Sequence, residues 1–395
     1  MKDILLCSDF YPMIGGAHHW LYNVYSRWPS QVTVFAGSPP NNDSDAIEQQ
    51  RVFDAENHGS LSIHRIELSF PDINILSFTF WKRLLNAVRS ISSEAGNDEA
   101  TLNCLRAFPD GIMGLAWKSL SPRKRKIVTF AHGEEIGIAS SSRQLKILSY
   151  WVYKISTLVI ANSMNTERLV HSLVPSAQTT VIHPGVTPAD FSFSEEELER
   201  GRSFYGFTQN DIVLVTVGRM EIRKNHGSVL NAMRHLLDSG IQLKYLIVGG
   251  GEEEQRLRIM VKNLGIEWAV KFTGFLPNRE RSLAMAAADI HIMPSINHDR
   301  MFEGFGIVFI EAAAAGIPSI AGNTGGQAEA VLDRKTGLVI DGANVDAIVG
   351  AIKQLAENRR LRRALGEAGR QWAMAHEWTS IAGKTAQKIR HAAGK

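Results

Sequence analysis

The chain of 395 residues is 44% hydrophobic and 21% charged, a balance typical of a globular protein, and its length favours two domains over a single core. The formal net charge of +3 gives no reason to expect a nucleic-acid partner. The two cysteines, Cys7 and Cys104, are too few for a disulfide framework or a cysteine-rich zinc site.

We expect a cytoplasmic protein. The apolar run from Ile4 to Cys7 is too short for a signal peptide. No stretch of the sequence reaches the roughly 20 apolar residues that a helix needs to span a bilayer. The low cysteine content also fits a reducing compartment.

Short apolar runs alternate with longer helical patterns along the chain. The runs are almost continuously apolar, which is typical of parallel strands covered on both faces. Because this alternation occurs twice, we predict two doubly wound α/β domains. The first series of predicted strands covers 3–8, 31–36, 61–66, 126–131, 157–162 and 179–183, and the second covers 212–217, 244–249, 270–273, 289–293 and 317–321.

The domain boundary is predicted between the two strand series. The first series ends at His183-Pro184-Gly185, and an acidic, polar segment (SFSEEELERGR) precedes the next strand. Near the C-terminus, Trp378, Ala382, Ala386 and Ile389 recur at helical spacing, so an amphipathic helix there needs another surface to cover it. The predicted segments are 1–185, 186–373 and 374–395.

Two stretches that follow strands of the first domain are candidate ligand sites, because open α/β sheets bind ligands beyond the carboxyl ends of their strands. In SDFYPMIGGAHHW, Gly15 and Gly16 precede a helix and could let the backbone approach a phosphate or sugar. A plain tight turn is the simpler interpretation. In AHGEE, His132 stands at a strand end, although a single histidine is more often structural.

Two glycine-containing stretches follow strands of the second domain. GRMEIRKNHG places Arg219 and Lys224 after the strand that ends at Val217, and two cations there match what a diphosphate needs. A charged loop in solvent is an equally good interpretation. VGGGEEE places Gly249 and Gly250 in a possible nucleotide-facing turn, but it matches neither the dinucleotide-binding glycine pattern nor the P-loop.

The stretch FEGFGIVFIEAAAAGIP (302–318) sets two carboxylates in apolar surroundings. Glycines on either side of Phe305 favour a loop around Glu303, and the following apolar run predicts a buried helix that ends at Gly316. Side chains of a helix lean toward its N-terminus, so Glu311 would tilt back toward the same loop. The two acids either serve one ligand at a helix N-terminus or are structural carboxylates satisfied locally.

Taken together, these segments resemble glycosyltransferase family 4, whose retaining, nucleotide-sugar-dependent enzymes have the GT-B fold. The resemblance covers most of the chain and is strongest from Gly218 to Thr336. It implies two Rossmann-like domains facing a central cleft, with an acceptor-side domain first and a nucleotide-sugar-binding domain second. The motifs that carry it are GRMEIRKNHG, LIVGGGEE, FTGFLP, AADIHIMPS, EGFGIVFIEAAAAGIPSIAGNTGGQAEAV and TGLVI.

The resemblance also implies roles for individual residues. Arg219 and Lys224 would hold the donor diphosphate, Glu303 would lie near the donor sugar, and Glu311 would bind the ribose hydroxyls. His132 would position the donor sugar. The implied donor-binding residues are Gly15, Gly16, Arg219, Lys224, Gly249, Gly250, Glu303, Gly304, Phe305, Gly306, Ile307, Val308 and Glu311, and the implied catalytic residues are His132, Arg219, Lys224 and Glu303.

The family's activity implies sugar transfer from a nucleoside diphosphate sugar to a hydroxyl of a glycan or lipid-linked acceptor, with retention of configuration. No metal or other cofactor is expected, because fixed cations and a helix N-terminus would offset the charge of the leaving phosphate. A nucleotide-sugar-binding protein without transfer activity is the alternative. We give less weight to an epimerase or phosphorylase on this fold, and to a hydrolase-like carboxylate pair.

Membrane contact is a further expectation from the resemblance. The basic segment SPRKRK (121–126) could lean on anionic lipid at the inner membrane surface, although a solvated basic turn is the favoured interpretation. The segment 70–105 begins with aromatic and apolar residues at an expected acceptor-side position, and it could equally be core packing.

Overall fold

The computed structural model describes residues 2–11, 15–39, 43–66, 68, 77–120 and 124–394. They form two compact units, Met1–Pro184 with Trp378–Lys395, and Gly185–Glu377. Each unit contains one parallel sheet with covering helices, which confirms the predicted α/β class with two doubly wound sheets. Parts of the segments around Gly15, 70–105 and SPRKRK, namely 12–14, 70–76 and 121–123, lie outside the described residues.

The first unit is built on a seven-stranded sheet in the order β3-β2-β1-β4-β5-β6-β7, with every neighbouring pair parallel. The order reverses between β1 and β4, which is the switch point of a doubly wound sheet. The strands are β1 (Lys2–Cys7), β2 (Val32–Gly37), β3 (Leu61–Ile66), β4 (Ala100–Cys104), β5 (Arg125–Ala131), β6 (Leu158–Ala161) and β7 (Thr179–Val181).

In the described part of the first unit, seven helices connect these strands. Because parallel crossovers are right-handed, helices before β3 cover one face of the sheet and those after it cover the other. Helices α3, α4 and α6 share one buried apolar cluster with the strands. The helices are α1 (Gly16–Tyr25), α2 (Ser44–Asp54), α3 (Phe78–Ala95), α4 (Ile112–Ser119), α5 (Glu134–Ala139), α6 (Arg143–Ile155) and α7 (Met164–Leu173), with a short turn at Ala107–Gly111.

The second unit is built on a six-stranded parallel sheet in the order β10-β9-β8-β11-β12-β13. Its switch point lies between β8 and β11, where the chain reverses its direction across the sheet. Apolar side chains form two separate buried clusters. The strands are β8 (Ile212–Val217), β9 (Leu243–Val248), β10 (Val270–Gly274), β11 (Ile290–Met293), β12 (Ser319–Gly322) and β13 (Gly337–Ile340).

The helices of the second unit lie before, between and after these strands, and short 3₁₀ turns occur at Pro188–Phe191 and Ile222–Lys224. The helix that starts at Glu195 has a capping box at its N-terminus: the hydroxyl of Ser194 accepts from Glu197 N, while the side chain of Glu197 accepts from Ser194 N. The helices are α8 (Glu195–Phe204), α9 (His226–Asp238), α10 (Glu254–Asn263), α11 (Asn278–Ala286), α12 (Ile307–Ala315), α13 (Gln327–Ala330), α14 (Val345–Glu357) and α15 (Arg359–Met374).

The last helix, α16 (Trp378–Ala392), groups with the first unit. It begins at Trp378 rather than at residue 374, because Met374 is the last residue of α15. Helix α16 packs on α1, and the buried indole of Trp378 lies edge-on to the ring of His19, with 5.7 Å between ring centroids. The apolar stripe of this helix is thereby covered.

Helix α12, the predicted buried helix, packs very closely on α15. A Cβ added to Gly366 would lie 2.0 Å from the carbonyl oxygen of Gly316, and one added to Gly369 would lie 3.3 Å from Cα of Ala313. Small residues on both helices therefore allow their backbones to approach. This packing holds the C-terminal end of α12 in place in the second unit.

We predict that Gly366→Ala lowers the free energy of unfolding by about 1–3 kcal/mol, because the added methyl group forces the helices apart. Gly350→Ala is the matched control: Gly350 is also helical, and nothing lies within 4 Å of its added Cβ. The control should raise stability by up to about 1 kcal/mol. Urea unfolding of both variants checks this, and equal effects would show that the close approach is unimportant.

Candidate active site

The carboxyl ends of β8, β9 and β10 form one closely packed edge in the second unit. Gly218 N donates to Val248 O over 3.0 Å, and Gly249 N donates to Gly274 O over 2.8 Å. Gly249 has a φ of 123°, and a Cβ on it would lie 2.1 Å from Gly218 O. The backbones of these loops can therefore approach each other only with glycine at this position.

Gly250 lies in the same loop and has an aromatic neighbour. A Cβ on Gly250 would lie 2.9 Å from the ring of Phe275, which follows β10. Met220 N donates to Gly250 O over 2.9 Å and so joins this loop to the one that carries Arg219. Both predicted glycines thus lie beside the cationic loop, and packing between loops already accounts for them.

The loop from Arg219 to Asn225 is held by a left-handed residue. Asn225 has a φ of 64°, a conformation that asparagine tolerates better than most residues. Its side-chain amide donates to Pro294 O over 3.1 Å and to Gly342 O over 2.7 Å. Arg223 O also accepts from Ile296 N over 2.9 Å. These bonds anchor the cationic loop to the segments that follow β11 and β13.

Lys224 and Glu303, both predicted site residues, form a buried cluster with Arg223. Arg223 Nη1 donates to Glu303 Oε2 over 2.9 Å, and Lys224 Nζ donates to the same oxygen. The three side chains are almost completely buried. Burial would raise the pKa of Glu303, but the charges of Lys224 and Arg223 outweigh it and hold the pKa below its ordinary value.

Arg219 lies at the solvent-facing side of the same loop. Its Nε is 3.1 Å from Glu221 Oε1, and 59% of its side chain is exposed. Glu221 Oε2 is in turn 2.8 Å from Arg223 Nε, so one carboxylate bridges the two arginines. Three cations therefore face two carboxylates in this loop and its partner Glu303, which leaves an excess of positive charge.

The backbone around Glu303 leads directly into the N-terminus of α12. Glu303 O accepts from Gly326 N over 2.9 Å, which ties the loop to the segment after β12. Gly306 precedes the helix with a φ of 85°, and a Cβ on it would lie 2.6 Å from the ring of Phe309. The stretch from Gly304 to Val308 therefore forms the predicted loop and first helical turn, whose leading N–H groups have no partner within the helix.

Glu311, in the middle of α12, has a different cationic partner. Its Oε2 accepts from Arg281 Nη1 of α11 over 2.7 Å, and the carboxylate is buried. The two acids of the motif are thus each neutralised by cations of the protein. This satisfies them structurally without excluding a ligand, because a carboxylate can accept several hydrogen bonds.

Two buried histidines, His226 and His291, lie near enough to Lys224 to be affected by its charge. His226 is the first residue of α9, and burial, followed by the charge of Lys224, lowers its pKa to about 4. Burial is also the main cause that lowers the pKa of His291, on β11, to about 3. Both rings are therefore neutral at physiological pH, so they add no positive charge to that of the arginines and lysine.

The remaining predicted residues belong to the first unit. His132 Nε2 bonds to Leu105 O over 2.7 Å, and since a carbonyl only accepts, this nitrogen carries the proton. Burial lowers the pKa of His132 to about 3, so the ring is neutral and its Nδ1 can accept a hydrogen bond. Gly15 precedes α1, which begins at Gly16, and a Cβ on Gly15 would lie 2.4 Å from His18 Nε2.

Sequence reasoning missed three residues of the site. Arg223 and Asn225 lie inside the motif GRMEIRKNHG, so their neighbour Lys224 could have signalled them. Arg281 had no such signal, because it is far from Glu311 in sequence and lies on a helix without a motif of its own. Its ion pair depends on how α11 and α12 pack.

Among the described residues, no group of three or more His, Cys, Asp and Glu side chains could hold a metal ion. In the same part of the chain, no helix is both long and apolar enough to cross a bilayer.

Two cations of the basic segment 121–126 have structural partners within the first unit. Arg125, on β5, is buried, donates to Trp117 O and lies over the ring of Trp117, with 4.8 Å from Cζ to the ring centroid. Lys124 Nζ donates to Asn97 O over 2.8 Å. These side chains help to hold the first unit together.

Two protein families match the chain. The one described as "Glycosyltransferase Family 4" matches residues 14–190, and the one described as "Glycosyl transferases group 1" matches residues 199–372. Together these matches extend over both compact units.

Curated relatives are similar over most of their length. A GDP-mannose-dependent alpha-(1-6)-phosphatidylinositol monomannoside mannosyltransferase of Mycolicibacterium smegmatis is 32% identical over 67% of this chain and 70% of its own. A GDP-mannose-dependent monoacylated alpha-(1-6)-phosphatidylinositol monomannoside mannosyltransferase of Corynebacterium glutamicum is 27% identical over 96% of this chain and 94% of its own.

Solved structures have the same fold. Sucrose-phosphate synthase from Thermosynechococcus elongatus superposes with a TM-score of 0.80 at 21% identity, covering 99% of both chains. An Anabaena protein in complex with UDP and glucose superposes with a TM-score of 0.78 at 18% identity, covering 99% of this chain and 100% of its own. At this level of identity the likeness establishes the GT-B fold only.

We predict that Glu303→Gln lowers the free energy of unfolding at neutral pH by about 3 kcal/mol or more, because buried Lys224 loses its paired carboxylate and buried Arg223 keeps only Glu221. The folded pKa of Glu303 lies below 4.5, so its stabilisation is present above that pH and is lost as pH falls through the folded pKa. The difference between variant and parent should therefore shrink at acid pH.

Denaturant unfolding over a pH series measures this effect. Glu254→Gln is the control, because Glu254 pairs with Arg258 at the surface of α10 and should matter by about 1 kcal/mol or less. A constant difference between Glu303→Gln and the parent at every pH would contradict the assignment of the effect to the charged carboxylate.

Proposed function

The chain belongs to glycosyltransferase family 4, and we propose that it is a retaining enzyme whose donor diphosphate binds at the cationic loop of the second unit. The acceptor is a hydroxyl of a glycan or of a lipid-linked sugar. The observation that carries the proposal is the excess of positive charge where Arg219, Arg223 and Lys224 lie beside the N-terminus of α12.

The charge distribution fits the chemistry of the leaving group. As the bond to the anomeric carbon breaks, negative charge collects on the diphosphate, and fixed cations nearby lower the energy of that state. Arg219 is exposed and can reach an incoming phosphate, while Lys224 is held in position by its ion pair with Glu303. The N–H groups at the start of α12 add donors and the positive end of a helix dipole.

Glu303 has two functions in this proposal. Its lowered pKa keeps it ionised, so it positions Lys224 and can accept hydrogen bonds from hydroxyls of the donor sugar. Glu311 lies deeper, beside Arg281, and is proposed to bind the ribose hydroxyls. His132 is proposed to position the donor sugar through its unprotonated ring nitrogen.

The relatives indicate which substrates to test first. Two of them are named for GDP-mannose as donor and for phosphatidylinositol mannosides as acceptors, so we propose a lipid-linked acceptor and GDP-mannose as the first donor to try. Because a lipid-linked acceptor is anchored in a membrane, we also propose that the enzyme is cytoplasmic and acts at the inner membrane surface. Because Arg125 is buried, a contact through 121–126 would rely on the segment's other cations.

We predict that Arg219→Ala and Lys224→Ala each reduce sugar transfer by roughly 100-fold or more, on the order of 3 kcal/mol of lost charge stabilisation. Transfer and donor hydrolysis are measured by mass detection over a panel of nucleotide sugars. Arg258→Ala, which removes a surface cation of α10, is the control and should leave activity unchanged. Near-normal activity in both loop variants would refute the diphosphate assignment.

We also predict that activity survives EDTA almost unchanged, because the protein's own cations and the helix N-terminus supply the positive charge at the phosphates. The measurement is initial rate before chelation, after chelation and after adding back Mg²⁺ or Mn²⁺. Activity that falls near zero with EDTA and returns with either ion would overturn this part of the proposal.

A further inference from the structure

The side-chain amide of Gln327, the first residue of α13, is completely buried and fully hydrogen-bonded. Its Oε1 accepts from Ser295 N over 3.1 Å and from Gly322 N over 2.9 Å. Its Nε2 donates to Ser295 O over 3.0 Å and to Thr324 O over 2.8 Å. A primary amide has two strong acceptor positions and two N–H donors, so this one makes every hydrogen bond that it can.

These bonds lie at the carboxyl edge of the second unit's sheet. Ser295 follows β11, and Gly322 is the last residue of β12. The ladder between those two strands ends with Met293 beside Ala321. The amide of Gln327 therefore joins the two segments beyond the point where their backbone pairing stops.

One chain of contacts leads from Gln327 to the cationic loop. The side chain of Asn225 donates to the carbonyl group just before Ser295 over 3.1 Å, and the N–H group just after Ser295 donates to Arg223 O over 2.9 Å. Because Gln327 binds both the N–H and the carbonyl group of Ser295, it holds the segment to which the cationic loop is anchored. Lys224 lies between the two anchored residues of that loop.

A second chain of contacts leads from Gln327 to the loop that carries Glu303. Thr324, whose carbonyl oxygen accepts from Gln327, begins a short turn after β12. Gly326 N donates to Glu303 O over 2.9 Å, and a Cβ on Gly325, whose φ is 66°, would lie 2.3 Å from the same oxygen. This turn holds the backbone of Glu303, and Gln327 holds the turn.

We propose that Gln327 is a positioning residue for the donor diphosphate site. Its hydrogen bonds to backbone groups support, from one buried amide, the backbones on both sides of the ion pair between Lys224 and Glu303. Misplacing a functional group by about 1 Å can cost about 100-fold, so loss of this support should be felt by the ligand. The inference rests on the proposed function, because the ligand concerned is the diphosphate.

Nucleotide binding by the full chain tests the proposal, with GDP, UDP and ADP as probes in isothermal titration calorimetry. Gln327→Met keeps the length of the side chain but removes its hydrogen bonds. For each nucleotide that the parent binds, this variant should raise the Kd about tenfold or more. The fold-change is compared with that of a variant at the other edge of the same sheet.

Arg202→Met is that matched control. Arg202 lies at the amino edge of the sheet, where its guanidinium donates to Asp211 O over 2.6 Å and to Ala287 O over 3.0 Å. The control should therefore lose stability, as Gln327→Met does, because buried backbone groups lose their partners. Its Kd for each nucleotide should stay within about twofold of the parent's, because the carboxyl edge is untouched.

A measurement without ligand separates positioning from a merely structural role. If Gln327 aligns the ion pair, its replacement should cost less once Glu303 has been replaced too. In urea unfolding, the factor by which Gln327→Met lowers the folding equilibrium constant should be about fivefold smaller in the Glu303→Gln background than in the parent. Arg202→Met should lower it by the same factor in both backgrounds.

Thr324→Val is the milder variant, which takes the place of Gln327→Met in both measurements if that variant does not fold. It removes the hydroxyl that donates to Ser295 O over 3.1 Å and leaves the amide of Gln327 in place. It should raise the Kd about threefold, and Thr324→Ser, which keeps the hydroxyl, should bind like the parent.

Three results would overturn the proposal. The variant at Gln327 binds nucleotide as tightly as the parent, Arg202→Met loses as much affinity as that variant, or the effects of replacing Gln327 and Glu303 on unfolding are additive. A parent that binds none of the three nucleotides would contradict the proposed function instead. The ligand-free unfolding measurement would then still decide whether Gln327 aligns the ion pair.

Discussion

The site in the second unit depends on the ion pairs that Arg223 and Lys224 both form with the carboxylate of Glu303. These ion pairs join the loop after β8 to the loop before α12, which are far apart in sequence. Because the three side chains are buried, removing Glu303 would leave two cations without their shared carboxylate in a poorly solvated place. The pairing therefore fixes where the cations stand, while Glu221 and exposed Arg219 extend the charge toward solvent.

Backbone constraints place this cluster at the N-terminus of α12. Gly306 turns the chain into the helix with a positive φ, and Asn225 turns the cationic loop with another. Close packing on Gly366 and Gly369 of α15 holds the C-terminal end of α12 in place. Small residues in the motif thus act on the site through packing, while charged residues act on it through electrostatics.

The sequence predicted the architecture because most strands are continuous apolar runs. It missed β4, in which Thr101 and Asn103 are fully buried yet polar, and β13, whose short GLVI run was noted only as a motif. Lys224 and Glu303 could be predicted as neighbours of one ligand, but their direct ion pair could not. The partner of Glu311 was unpredictable too, since Arg281 reaches it only through the packing of α11 on α12.

A crystal structure with a nucleoside diphosphate bound tests the central claim most directly, namely that Arg219 and Lys224, in the loop after β8, form the diphosphate site together with the N-terminus of α12. The account predicts phosphate oxygens within hydrogen-bonding distance of Arg219 and Lys224 and of the N–H groups of Ile307 and Val308. A nucleotide bound with its phosphates away from these groups, and with the loop after β8 unchanged, would contradict it.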